Sequence, residues 1–125
     1  MSHIVEIQTK IVGKEGETAV NEACSRLHLP RATRGTFQLY STEATGLAIQ
    51  LPDWKFPVVA NTETGQLSYD NYQGRWGRQA VLFEFLKYFA VQRTKIEARR
   101  KGHSVVEQQL DNGSIKLTVQ VGGVA

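Results

Sequence analysis

The stretch from residue 78 to about 101 constrains the fold of this chain more than any other. Leu82, Phe85, Leu86, Phe89 and Ile96 recur there at helical spacing. A helix of that length spans roughly 35 Å at 1.5 Å per residue. Its first half is apolar on several sides and is expected to be the most buried part of the chain. Its end, Arg99-Arg100-Lys101-Gly102, puts cations at the negative pole of the helix dipole and a glycine where a left-handed cap is needed.

The remaining residues supply strands and one more helix. Val5, Ile7, Thr9 and Ile11 alternate with Glu6, Gln8 and Lys10, the period of a half-buried strand beginning at His3. Gly13 ends it. Over residues 16–29 the period becomes helical: Val20, Ala23, Cys24 and Leu27 share a narrow apolar face, and Pro30 closes the helix. Residues 31–35 read as a loop. Strand-like runs follow at 36–40, 46–51, 56–60 and 66–69, the last two pairing as a hairpin across Thr64-Gly65. A final hairpin joins 106–110 to 115–121 through Asp111-Asn112-Gly113-Ser114. Asn-Gly favours a two-residue turn with positive φ at both positions. That turn pairs Leu110 with Ile115 and Val106 with Val119 on one face, and Gln109 with Lys116 and Glu107 with Thr118 on the other. Residues 122–125 are expected to fray.

The order strand, helix, strands, helix, hairpin defines an α+β domain. It predicts an antiparallel sheet with two helices, one short and one long, packed on one face, and a C-terminal β-hairpin. A length of 125 residues fits one domain able to bury a core without staples. Hydrophobic residues at 41% and charged residues at 22% exclude global disorder. The single cysteine, Cys24, excludes an intrachain disulfide and fits a reducing, cytoplasmic or organelle-stromal setting. The first residues lack the basic and apolar segments of a secretory leader. The most apolar stretch, 80–90, carries Glu84 and Lys87, so no membrane span is expected.

Charge is uneven. From Arg75 to Lys101 there are eight Lys or Arg and two acids, a local +6, against −3 for the rest and +3 overall. Arg93, Lys95, Arg99, Arg100 and Lys101 are therefore candidate phosphate contacts for a nucleic acid. The same residues also serve as a solvated, dipole-complementing helix face, with Arg93 and Glu97 spaced as an intrahelical pair.

The loop before the long helix holds the other candidate surface: Tyr69, Asp70, Asn71, Tyr72, Arg75 and Trp76. Tyr, Trp and Arg are the residues that dominate protein interfaces, and Asp or Asn can fix a turn. The alternative is a core cap with a simple turn. Gly74 and Gly77 before a helix are a weak anion signal. No nucleophile elbow, phosphate loop or dinucleotide fingerprint is present, so no catalytic residue and no cofactor is assigned. An enzymatic site would have to be built around Asp70 and Arg75. Cys24 and His28 have a ligand-like spacing on a helix, but no further ligands complete a metal set, and His3 and His103 do not supply one.

Several of these segments carry a resemblance. They are Met1-Ser2-His3, Tyr69-Asp70-Asn71-Tyr72 through Arg75-Trp76-Gly77, Tyr88-Phe89-Ala90-Val91 through Lys95-Ile96-Glu97-Ala98-Arg99-Arg100-Lys101-Gly102, and Val106-Glu107-Gln108-Gln109-Leu110 with Asp111-Asn112-Gly113-Ser114-Ile115-Lys116-Leu117. Together they resemble the domain-of-unknown-function family numbered 1257, bacterial relatives of a hypothetical chloroplast open-reading-frame product. Residues 13–51 match in outline. Many relatives carry an aromatic where this chain has His103. The resemblance implies a small stand-alone α+β protein with no assigned activity, encoded near AAA+ ATPases.

The reading that follows is a non-enzymatic adaptor binding another protein, with nucleic-acid binding through the basic helix end as the alternative. An exposed sheet edge equally supports a homodimer.

Overall fold

The computed structural model of the chain describes residues 4–122. His3 and residues 123–125 of the expected frayed end lie outside that range. The alternating segment near the start forms β1 (Val5–Gln8). It is followed by α1 (Gly13–Arg26), β2 (Thr33–Gln38), β3 (Glu43–Ile49), β4 (Val58–Asn61) and β5 (Gln66–Tyr69). A tight left-handed turn at Tyr72–Gly74 leads to α2 (Gln79–Arg100), then β6 (Ser104–Gln109) and β7 (Ile115–Gln120). β1 to β5 form one antiparallel sheet in the order β1-β5-β4-β3-β2, and β6 and β7 form a separate hairpin. This is the expected α+β architecture. No helix among the described residues is long and apolar enough to cross a membrane.

Strand register builds the core. Leu47 lies opposite Ala60, Ala60 opposite Leu67, and Leu67 opposite Ile7, so one row crosses four strands. Alternation puts Ile49, Val58 and Tyr69 on the same face. Ala19, Val20, Ala23 and Cys24 of α1 and Leu82, Phe85 and Phe89 of α2 join that face in a single cluster. The small residues of α1 let the two helices pack against each other as well as on the sheet.

Several boundaries differ from expectation, those of α1 and β2 most clearly. α1 begins at Gly13, whose φ of 65° turns the chain out of the strand while its N–H bonds Thr62 O at 2.9 Å. It ends at Arg26, ahead of Pro30. His28 takes the left-handed position (φ 58°), the Leu29 N–H donates to Cys24 O and the His28 N–H to Ser25 O. That is a Schellman closure with histidine in the usual glycine place. α2 closes the same way, with Gly102 left-handed as expected and the His103 N–H donating to Ala98 O at 2.8 Å. β2 starts at Thr33, inside the expected loop. It is an edge strand exposed along most of its length, so it needs no apolar alternation, and pairing with β3 defines it.

The final hairpin shows a correction with consequences. Its turn is longer by one residue than a two-residue Asn-Gly turn. The Gly113 N–H donates to Leu110 O, the Leu110 N–H donates to Ser114 O, and the positive φ falls on Gly113 while Asn112 keeps a negative one. This is a type I turn closed by a left-handed glycine. The register moves by one: Val105 faces Val119, Glu107 faces Leu117 and Gln109 faces Ile115. A one-residue slip turns every side chain of a strand over. Glu107, expected on the outer polar face, instead joins the row of Val105 and Leu117 and turns toward the helices.

There it meets a charge cluster. Arg26 grips both Glu107 carboxylate oxygens, Lys95 Nζ lies 2.8 Å from Oε1, and Arg26 stacks over Tyr88 at 4.6 Å. Gln92 links Arg26 to Glu22 through bonds of 3.1 and 2.9 Å. Arg26, with Lys95 behind it, holds the Glu107 carboxyl down at about 2, and Glu107 in turn raises Arg26 above its ordinary value. With 17% of its side chain exposed, Glu107 is shielded enough for this to matter. A depressed carboxylate stabilises the fold fully above its unfolded value near 4.5 and loses that contribution as pH falls toward about 2. Glu107→Gln is expected to cost about 1–3 kcal/mol at neutral pH. It should also flatten the loss of stability over that acid window, as urea unfolding across a pH series will measure.

Candidate functional site

The loop from Tyr69 to Trp76 divides into builders and presenters. Tyr69, Asp70 and Asn71 are buried. The Tyr69 hydroxyl accepts from Gln79 Nε2 at 3.0 Å. Asp70 Oδ1 accepts from the Tyr72 N–H at 3.1 Å, an Asx turn that starts the bend. Asn71 Nδ2 donates to Gly77 O and to Gln79 Oε1, both at 3.0 Å, and Asn71 O accepts from the Trp76 N–H at 2.9 Å. Tyr69 and Asn71 thus tie the loop to the start of α2, and Asp70 shapes its bend.

The result is an unusual backbone. Tyr72, Gln73 and Gly74 all have positive φ, at 47°, 54° and 99°. Two consecutive non-glycine residues in the left-handed region are costly, and the surrounding bonds hold them there. That path carries Trp76 away from the core and into an aromatic group. Its ring centroid lies 4.7 Å from Tyr72, 4.9 Å from Tyr40 and 5.7 Å from Phe56. Lys55 Nζ stands 4.9 Å over Trp76, and Arg75 stands 5.1 Å over Tyr72. The Lys55 N–H donates to Trp76 O at 2.8 Å, which pins the two loops together. Tyr40 is 48% exposed, while Tyr72, Phe56 and Trp76 are half-buried. The loop thus presents an aromatic surface with two cations on it.

Beneath this surface Trp54 is buried. Its Nε1 donates to Arg78 O at 3.2 Å, its ring packs edge-on to Tyr69 at 5.7 Å, and its face lies directly on Gly77. Tyr40, Lys55 and Phe56 escaped the sequence reading because they come from other loops. A signal was available: Tyr40 closes the expected run 36–40 and Phe56 opens the run 56–60, so both are large aromatics at run ends, where the chain turns.

The basic helix end looks different in space. Arg93 pairs with Glu97 at 3.5 Å, Lys101 with Glu97 at 3.4 Å, Lys95 with Glu107 at 2.8 Å, Arg99 with Glu22 at 3.6 Å and Arg100 with Glu15 at 3.5 Å. Each cation of the stripe faces an acid, three of the five through carboxylates from α1 or β6. The sequence-local excess is therefore offset in part by tertiary neighbours.

Cys24 is buried at the α1 core, and burial pushes its thiol up to about 11, so it stays protonated near neutrality. His28 is exposed beyond the helix end, which removes the shared helical face that a Cys24–His28 metal pair needs. Among the described residues no cluster of His, Cys, Asp and Glu could hold a metal ion. The His103 Nδ1 accepts from the Gly122 N–H at 2.8 Å, a structural use. Asp70 and Arg75 do not line the apolar groove between the helix ends, whose walls include Leu27, Leu51, Val81 and Phe85.

Fold and surface together define an α+β domain that displays an aromatic, cationic loop face beside a charge-balanced helix. No family model matches the chain, and no curated protein and no solved structure is similar to it at a significant level.

Proposed function

We propose that this chain is a non-enzymatic adaptor that binds another protein through the aromatic surface around Trp76. The observation that carries this reading is the combination of a strained, hydrogen-bonded loop and a partly exposed ring cluster. The fold holds Tyr72 and Gln73 in costly conformations, and what results is exposed aromatic area. Aromatic rings and Arg dominate binding energy at protein interfaces. Lys55 and Arg75 over the rings favour an acidic, apolar segment of the partner. The resemblance to family 1257 extends the proposal to an AAA+ ATPase system as the partner, in a reducing compartment.

The test is affinity purification of the tagged full chain from its native cell, with nuclease and salt treatments of parallel eluates. A stoichiometric protein that survives nuclease is expected. Tyr72→Ala and Tyr40→Ala should each weaken its binding at least tenfold, about 1.4 kcal/mol, with circular dichroism unchanged. Retained binding in both variants would remove the aromatic surface from the proposal. The basic helix end supports nucleic-acid binding less well, because its cations already face carboxylates. Nucleic acid released by salt, and lost on neutralising Arg99, Arg100 and Lys101, would favour that alternative.

A further inference from the structure

The end of α1 and the start of α2 enclose a groove of about 330 Å³ that the aromatic surface does not use. Leu51 and Phe85, each 1% exposed, form its floor, and half-buried Leu27, Leu29 and Val81 form its walls. Two charged side chains reach the lining, Arg78 and Glu84. They are not equivalent. Glu84 is paired with Lys87 at 3.0 Å. Arg78 is exposed, and among the described residues no carboxylate lies within ion-pair distance of it. Its backbone is nonetheless fixed, since its carbonyl accepts from Trp54 Nε1 at 3.2 Å. An apolar trough with one unmatched arginine in its lining has the layout of a small-molecule site: apolar lining for contact area and one polar group for orientation.

We infer that this groove binds a medium-chain aliphatic carboxylate, with its tail along the half-buried Leu27, Leu29 and Val81 and its head on the Arg78 guanidinium. A groove of about 330 Å³ lies at the lower end of the sizes that hold small ligands, which favours a short aliphatic chain over a long one. Methylenes gain by leaving water for such a trough, and a guanidinium takes a carboxylate in paired, charge-assisted hydrogen bonds. The charge of Glu84, already met by Lys87, leaves the anion's preference with Arg78.

Calorimetric titration of the full chain with decanoate, decanol and acetate tests this. Decanoate is expected to bind, acetate to give no signal, and decanol to bind about tenfold more weakly than decanoate. Arg78→Gln should bring decanoate down to the level of decanol. Ala80→Trp, a change at an exposed lining residue that fills the groove, should abolish both. Absence of decanoate binding at low-millimolar concentration, or binding unchanged by Ala80→Trp, overturns the inference. Equal affinity for decanoate and decanol overturns the role of Arg78. Partner binding at Trp76 is a separate readout, so failure of either proposal leaves the other measurable.

Discussion

Phe85→Ala is expected to lower the free energy of unfolding by about 3–5 kcal/mol. Phe85 is the largest side chain that the fold buries completely, at 1% exposure. It belongs to the cluster shared by α1, α2 and the sheet, so its removal opens a cavity that no single element can close. Phe83, two residues earlier and 58% exposed, is the control: Phe83→Ala should move stability by no more than about 0.5 kcal/mol. Urea unfolding of both variants gives the comparison. A Phe85→Ala loss below about 1 kcal/mol would mean that the helices collapse onto the sheet far more freely than this packing implies.

The second large effect is expected at Gly77. A Cβ there would stand 2.3 Å from Trp54 Cδ2, 2.5 Å from Cε2 and 2.6 Å from Cγ. The ring cannot simply step aside, because Nε1 is bonded to Arg78 O and the ring edge packs on Tyr69. Gly77→Ala should therefore cost about 3 kcal/mol, the upper range for overpacking. It should also disturb Trp76, its immediate neighbour, and with it partner binding. Trp54→Phe keeps ring carbons at the clash but loses the Nε1 bond to Arg78 O, so the smaller ring is free to shift. The double variant should recover a measurable share of the loss, and this coupling is read from a double-mutant cycle. Strict additivity of the two changes would show that the contact does not limit the loop.

What the sequence disclosed about these regions follows from range. The α2 stripe, the Gly102 cap and the β4–β5 hairpin were legible because their signals lie within a few residues of one another. The last hairpin was legible as a hairpin, yet its register was not. Asn112-Gly113 suits both a two-residue turn and the longer turn that forms, and the choice between them rests on which face of β6 meets the helices. Glu107 wins that choice by reaching Arg26 and Lys95, partners distant in sequence. The same limit applies to the two candidate surfaces. Trp76, Tyr72 and Arg75 could be read from the loop, but Tyr40, Lys55 and Phe56 arrive through tertiary contact. The basic stripe was visible as a charge run, whereas Glu15 and Glu22 oppose it only because α1 packs beside α2.

The separate hairpin gives α2 a double role. Among the described residues, β6 and β7 pair only with each other, and they reach the rest of the protein by packing on α2 and through the Arg26–Glu107–Lys95 cluster. Releasing them breaks no hydrogen-bond ladder of the five-stranded sheet. The hairpin can therefore open locally while the five-stranded sheet stays paired, with α2 in contact with both.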